Sequence, residues 1–134
     1  MTACLPVLIV EDEPVLASNI AKFLARQGWI AISAGSIGEA LGKLREHSVA
    51  IVILDIELPD GNGLDAFPIM RSLAPCLRGV AITGRAKPDW RAQAARLGLQ
   101  EFLEKPFALQ TLADALQALN APLGDPLQPN ALPC

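Results

Sequence analysis

Apolar and polar positions along the chain follow two rhythms. Short runs of consecutive apolar residues recur, and between them apolar residues repeat at the three-to-four spacing of a helix face. The first run, "LPVLIV" (5–10), predicts a strand ending at Glu11-Asp12. Pro14 then suits the first turn of a helix, where its missing N–H is no loss. Leu16, Ile20, Leu24 and Val15, Asn19, Phe23 repeat at helical spacing, and Gly28 supplies a C-terminal stop. "WIAISA" (29–34) predicts a second strand, and Ser36 with Glu39 makes a capping box for a second helix with Leu41 and Leu44 facing inward. "VAIVIL" (49–54) is apolar at every position, as a parallel strand covered on both faces requires.

"LPDGNG" reads as a loop of turn formers. A third helix is predicted from about Leu64, although Pro68 falls well inside it, where proline is disfavoured. "GVAIT" (79–83) is a fourth strand. A helix from Pro88 to Leu97 follows, with Trp90, Ala94 and Leu97 on one face and Gly98 at its end. "QEFLE" (100–104) is a fifth strand, and a last helix over 108–120 places Leu109, Leu112, Leu116 and Leu119 inside. Strands alternating with helices define an α/β fold. The expected form is (βα)5, a doubly wound five-stranded parallel sheet with helices on both faces and the flavodoxin-like strand order 2-1-3-4-5. It occupies 1–120, and the Pro-rich stretch "APLGDPLQPNALPC" (121–134) reads as a flexible tail or linker.

Composition narrows the partners. The 134 residues are 51% hydrophobic and 19% charged, which supplies a core for one domain. A net charge of −3, with no Lys or Arg after Lys105, gives no electrostatic footprint for direct nucleic-acid binding. No apolar run reaches the roughly 18 residues of a membrane span. The N-terminal stretch lacks the basic segment of a signal peptide, so a cytoplasmic setting is expected. Cys4, Cys76 and Cys134 show no metal-type spacing and read as reduced thiols.

Ligands of such sheets bind beyond the carboxyl ends of the strands, where the strand order reverses. Glu11, Asp12, Asp55, Thr83 and Lys105 follow the first, third, fourth and fifth strands and should therefore converge. Three carboxylates in one crevice raise one another's pKa values unless a cation joins them. Oxygen ligands without sulfur favour a hard cation, and Mg2+ suits a site that keeps several waters. A carboxylate flanked by a metal, the Lys105 ammonium and the Thr83 hydroxyl can act as a nucleophile toward phosphorus, forming an acyl phosphate.

Together, "VLIVEDEP", "ILDIELPDGNGL", "AITGRA" and "FLEKPF" resemble the receiver domain of bacterial two-component response regulators over roughly residues 5 to 120. Each motif alone is weak; their order at the ends of alternate strands is specific. The resemblance implies that Asp55 is the phosphoacceptor for a phosphohistidine on a sensor histidine kinase or histidine phosphotransfer protein. It implies that Asp12 binds Mg2+ directly, Glu11 through water and Glu57 by its backbone carbonyl. Thr83 and Lys105 would contact phosphoryl oxygens, with the Lys105-Pro106 bond cis. Thr83 and Phe102 would form the switch, and Phe102 lacks the hydroxyl of the tyrosine often found there. Gly84 stands where receivers often have alanine, leaving the phosphate more open. The output would be a downstream protein effector or a fused output domain, and a homodimer through the fourth helix, fifth strand and fifth helix is compatible with the pattern. The protein would not be a turnover enzyme.

Two other readings compete. A small Mg2+-dependent phosphatase or phosphotransferase with an aspartyl nucleophile would use an acid two residues on, and Glu57 has that spacing. A phosphate-independent interaction module would need none of the five site residues. Separately, Asp55 could be a simple turn cap, Glu11-Asp12 a dipole-complementing pair, and His47 a solvated or C-capping imidazole. Trp29 and Trp90 read as core or half-core aromatics. Glu57 and Arg85, each two residues past a key position, are expected to pair across the pocket mouth and limit the access of water. Such a half-exposed pair adds less than about 1 kcal/mol to stability. On this expectation Arg85→Ala speeds autodephosphorylation, and an unchanged rate of phosphoryl loss removes the gate.

Overall fold

Three buried strands, each apolar on both faces, fix the centre of the molecule. The structure, a computed structural model, describes residues 6–120. Its main elements are β1 (Pro6–Val10), α1 (Pro14–Arg26), β2 (Ile30–Ala34), α2 (Ile37–Glu46), β3 (Ile51–Asp55), α3 (Gly63–Leu73), β4 (Arg78–Thr83), α4 (Trp90–Leu97), β5 (Leu99–Glu104) and α5 (Leu109–Asn120). The five strands form one parallel sheet in the order β2-β1-β3-β4-β5. The expected architecture and strand order are therefore present, and the topology reverses between β1 and β3. The expected tail over 121–134 lies outside the described residues.

Alternation along each strand sorts the core into two layers. Val7, Ile9, Ile51, Ile53, Val80 and Ile82 face one side, where Ile20 and Leu24 of α1 and Leu112, Leu116 and Leu119 of α5 cover them. Leu8, Val10, Val52, Leu54 and Ala81 face the other, under Leu44 of α2, Phe67 and Met70 of α3, and Ala94 of α4. A central strand buried on both sides needs this unbroken apolar composition.

Details depart from the sequence reading where tertiary packing decides. Of the two α1 stripes, the Leu16/Ile20/Leu24 line faces the core, whereas Val15 is 66% exposed. Helix α3, by contrast, runs through Pro68 as expected, with the proline on its exposed face while Ala66, Phe67 and Met70 are buried. The "LPDGNG" loop contains a short antiparallel hairpin, Glu57–Leu58 against Gly61–Asn62. Cys76 is disulfide-bonded, which departs from the expectation of reduced thiols.

Since Ile53 is fully buried at the centre of β3, Ile53→Ala is expected to lower unfolding free energy by about 2–5 kcal/mol, measured by urea denaturation.

Candidate functional site: an acidic crevice at the strand ends

Each site residue is delivered by the end of a strand. The Glu11 amide donates to the Ala34 carbonyl at 3.0 Å, extending the β1–β2 ladder by one residue. Beyond β3, the Ile56 amide donates to the Ile82 carbonyl at 2.9 Å, and the Lys105 amide donates to the Thr83 carbonyl at 2.8 Å. The carboxylates of β1 and β3 and the lysine after β5 thus sit on a hydrogen-bonded sheet edge, which holds their backbones still. Glu11, Asp55 and Thr83 are buried, at 2%, 3% and 0% exposure, while Asp12 is exposed at the mouth.

The structure brings together the residues expected to converge. Lys105 Nζ lies 2.7 Å from Glu11 Oε1 and 3.1 Å from Asp55 Oδ2. The contact with Asp55 is a hydrogen bond. The contact with Glu11 is an ion pair, and Lys105 is the partner of this buried oxygen of Glu11. Its other oxygen, Oε2, accepts from the Glu13 amide at 3.0 Å. Asp55 Oδ1 accepts from the Glu57 amide at 3.1 Å. Thr83 Oγ1 accepts from the Arg85 amide at 3.1 Å, which leaves the hydroxyl proton to be donated elsewhere. The Lys105-Pro106 peptide is cis, and a Cβ at Gly84 would meet only Lys105 Cδ at 3.9 Å, so this wall is open.

Burial dominates the electrostatics. It pushes the pKa of both Glu11 and Asp55 upward, and the nearby Lys105 ammonium only partly counters it. Burial pulls Lys105 down, but the carboxylates of Glu11 and Asp55 together hold it above its ordinary range. One ammonium faces three acids, so the crevice retains negative charge. One oxygen each from Glu11, Asp12 and Asp55 lies within 4.8 Å of the others. An all-oxygen cluster of three acids that meets a single ammonium fits a hard divalent cation.

Glycine is required beside the carboxylate. A Cβ at Gly63 would approach the Asp55 carbonyl oxygen to 2.3 Å, because the first turn of α3 lies directly on the end of β3. The Gly63 amide donates to the Ile56 carbonyl at 2.7 Å, closing this corner.

Phe102, half-buried on β5, has the Arg91 guanidinium of α4 over its ring, 4.6 Å from the centroid. Nothing in the sequence pairs an exposed α4 residue with a β5 ring, so this cation–π contact was not legible there. Glu57 and Arg85 are both exposed and form no ion pair with each other. His47 is exposed at the C-cap of α2. Three polar groups near the crevice turn elsewhere. Glu13 caps α1 by accepting from the Val15 and Leu16 amides, Asn62 caps α3 through the Leu64 amide, and Asp60 reaches α2. For Glu13 and Asn62 a signal was present, an acid before Pro14 and an Asn before an apolar helix start.

The acidic crevice with its one lysine lies at the topological switch of a doubly wound sheet, where such folds bind their ligands. The comparisons agree: the response regulator receiver domain profile matches residues 7–117, and the chain belongs to that family. In this family, phosphorylation-activated signalling is the shared function. The probable transcriptional regulatory protein TcrX of Mycobacterium tuberculosis is 34% identical over 113 residues, covering 84% of this chain and 48% of TcrX. The chain thus spans about half the length of that relative. The beryllofluoride-activated NtrC4 receiver domain dimer is 29% identical with a TM-score of 0.80, covering 85% of this chain and 94% of that one. A Burkholderia pseudomallei response regulator, solved with a phosphorylated aspartic acid, a calcium ion and citrate, is 26% identical with a TM-score of 0.75. The match covers 87% of this chain and 73% of that one. Among the described residues, no helix is long and apolar enough to cross a membrane.

A carboxylate whose folded pKa lies above its unfolded value favours folding when protonated. Its charged form therefore costs stability at neutral pH, and the cost fades as pH falls through the raised value. Asp55→Asn removes that charge, so the metal-free variant is expected to melt above wild type at neutral pH. The gap should close on acidification, as read by thermal scans with a chelator present.

Proposed function

We propose that this domain accepts a phosphoryl group onto Asp55 from a phosphohistidine of a sensor histidine kinase or phosphotransfer protein. The observation that carries the reading is the Asp55 carboxylate, buried at the end of β3 and bonded to both Lys105 Nζ and the Glu57 amide. Mg2+ held by Glu11, Asp12, Asp55 and the Glu57 carbonyl would offset negative charge on the transferring group.

The chain's own residues account for the remainder. The sheet edge fixes Asp55 so that one carboxylate oxygen attacks phosphorus in line. The phosphorus–nitrogen bond to the donor imidazole breaks, and the nitrogen leaves with the electron pair. Lys105, already 3.1 Å from Asp55, neutralises a phosphoryl oxygen, and the Thr83 hydroxyl turns to donate to another. Beside Lys105, Leu16, Pro106 and Phe107 line an apolar hollow, and the exposed Val15 stands on the same helix as Leu16. This surface suits a donor protein that buries apolar area while presenting its histidine to the crevice.

Movement of Thr83 is transmitted to Phe102, whose register neighbour Ala81 lies two residues before Thr83 on β4. The face built by α4, β5 and α5 then changes its fit to a downstream effector, a fused output domain or a second copy of the chain. The NtrC4 receiver, beryllofluoride-activated and dimeric, supports the last option as precedent. An aspartyl phosphatase reading is weaker, because the Glu57 backbone faces Asp55 while its side chain is exposed.

Incubation with acetyl phosphate and Mg2+, followed by intact mass, is expected to add one phosphoryl group to wild type and none to Asp55→Asn. Multiple turnover of a small phosphoester without a stable adduct would instead establish an enzyme, and no Mg2+ or phosphate response would establish an interaction module.

A further inference from the structure

Asp60 lies at the tip of the hairpin that follows Asp55, and the chemistry above does not use its carboxylate. Its two oxygens accept from the Ile37 and Gly38 amides, each at 2.9 Å. These are the first two amides of α2, more than twenty residues away in sequence. The next, that of Glu39, is taken by Ser36 Oγ at 3.1 Å. A carboxylate here also meets the positive end of the α2 dipole. The Gly38 and Ile37 amides hold its pKa below the ordinary range, so Asp60 is charged wherever the crevice is.

The other end of the hairpin touches the site. Glu57 pairs with Asn62 across the hairpin, and the Glu57 amide donates to Asp55 Oδ1 at 3.1 Å. Asn62 in turn caps α3 through the Leu64 amide at 2.7 Å. The hairpin is therefore strung between two helix N-termini, with the Glu57 peptide paired to Asn62 at its α3 end. Strands of two residues have little stability of their own, so the tethers decide where that peptide sits.

We propose that Asp60 is a positioning residue. By clamping the hairpin tip to α2, it fixes the Glu57 peptide against Asp55 and couples the first turn of α2 to occupancy of the crevice. The inference rests on the receiver reading and on the Glu57 carbonyl as a cation ligand. Coupling of this kind is reciprocal: whatever orders the hairpin at the crevice also protects the α2 amides that Asp60 accepts from.

The test compares two caps of the same helix. Asp60→Ala and Ser36→Ala each remove one cap from α2, but only Asp60→Ala releases the hairpin. Mg2+ titrations followed by NMR are expected to show a dissociation constant raised about fivefold or more in Asp60→Ala. Ser36→Ala should match wild type, and Asp60→Asn, which keeps one acceptor, should fall between. In wild type, amide exchange at Ile37 and Gly38 should slow when Mg2+ and beryllofluoride are added, a readout that does not depend on any variant folding. Equal Mg2+ affinity in Asp60→Ala and wild type, equal weakening in both alanine variants, or unchanged exchange at Ile37 and Gly38 overturns the proposal. A wild type that responds to neither Mg2+ nor beryllofluoride instead overturns the receiver reading, and this inference with it.

Discussion

The Lys105 ammonium between two buried carboxylates is the interaction on which the site depends. Glu11 and Asp55 are almost fully enclosed, and two like charges in such a place are costly without a counter-charge. Lys105 supplies it at 2.7 and 3.1 Å, and its backbone is pinned to Thr83 at the sheet edge. The compensation is incomplete. One cation stands against a cluster of three acids and pairs with two of them. That shortfall leaves the crevice with net negative charge. A fully satisfied network would be more stable and chemically inert.

Acids close together in sequence do two different jobs, and side-chain direction separates them. Glu11 and Asp55 turn into the crevice, whereas Glu13 turns to the start of α1 and Asp60 to the start of α2. Helix N-termini thus hold the neighbouring loops in place by drawing acids away from the crevice. The Gly63 backbone, pressed against the Asp55 carbonyl, completes the same corner from the side of α3.

The output side is built with more freedom. Phe102 is half-buried, and its ring is covered by a guanidinium from α4. A cation–π contact at a partly exposed site is worth about 0.5–1 kcal/mol, less than a buried hydroxyl bond network would be. An aromatic held this way can change its position at small cost.

Hydrophobic periodicity by itself determined the element order, the doubly covered central strand and the convergence of Glu11, Asp12, Asp55, Thr83 and Lys105. All of these follow from local pattern combined with the rule for strand ends in parallel sheets. Boundaries shifted by a residue or two, because strand pairing and caps decide where an element stops. The third helix formed where it was expected despite Pro68, because disfavour for proline inside a helix is local, whereas the burial of Phe67 and Met70 that holds α3 together is tertiary. Which α1 stripe faces inward, where Glu57 and Arg85 point, and the contacts of Asp60 with α2 and Arg91 with Phe102 were decided only by the tertiary structure. Each pairs groups on different elements or depends on the direction of a side chain, and a one-dimensional pattern records neither.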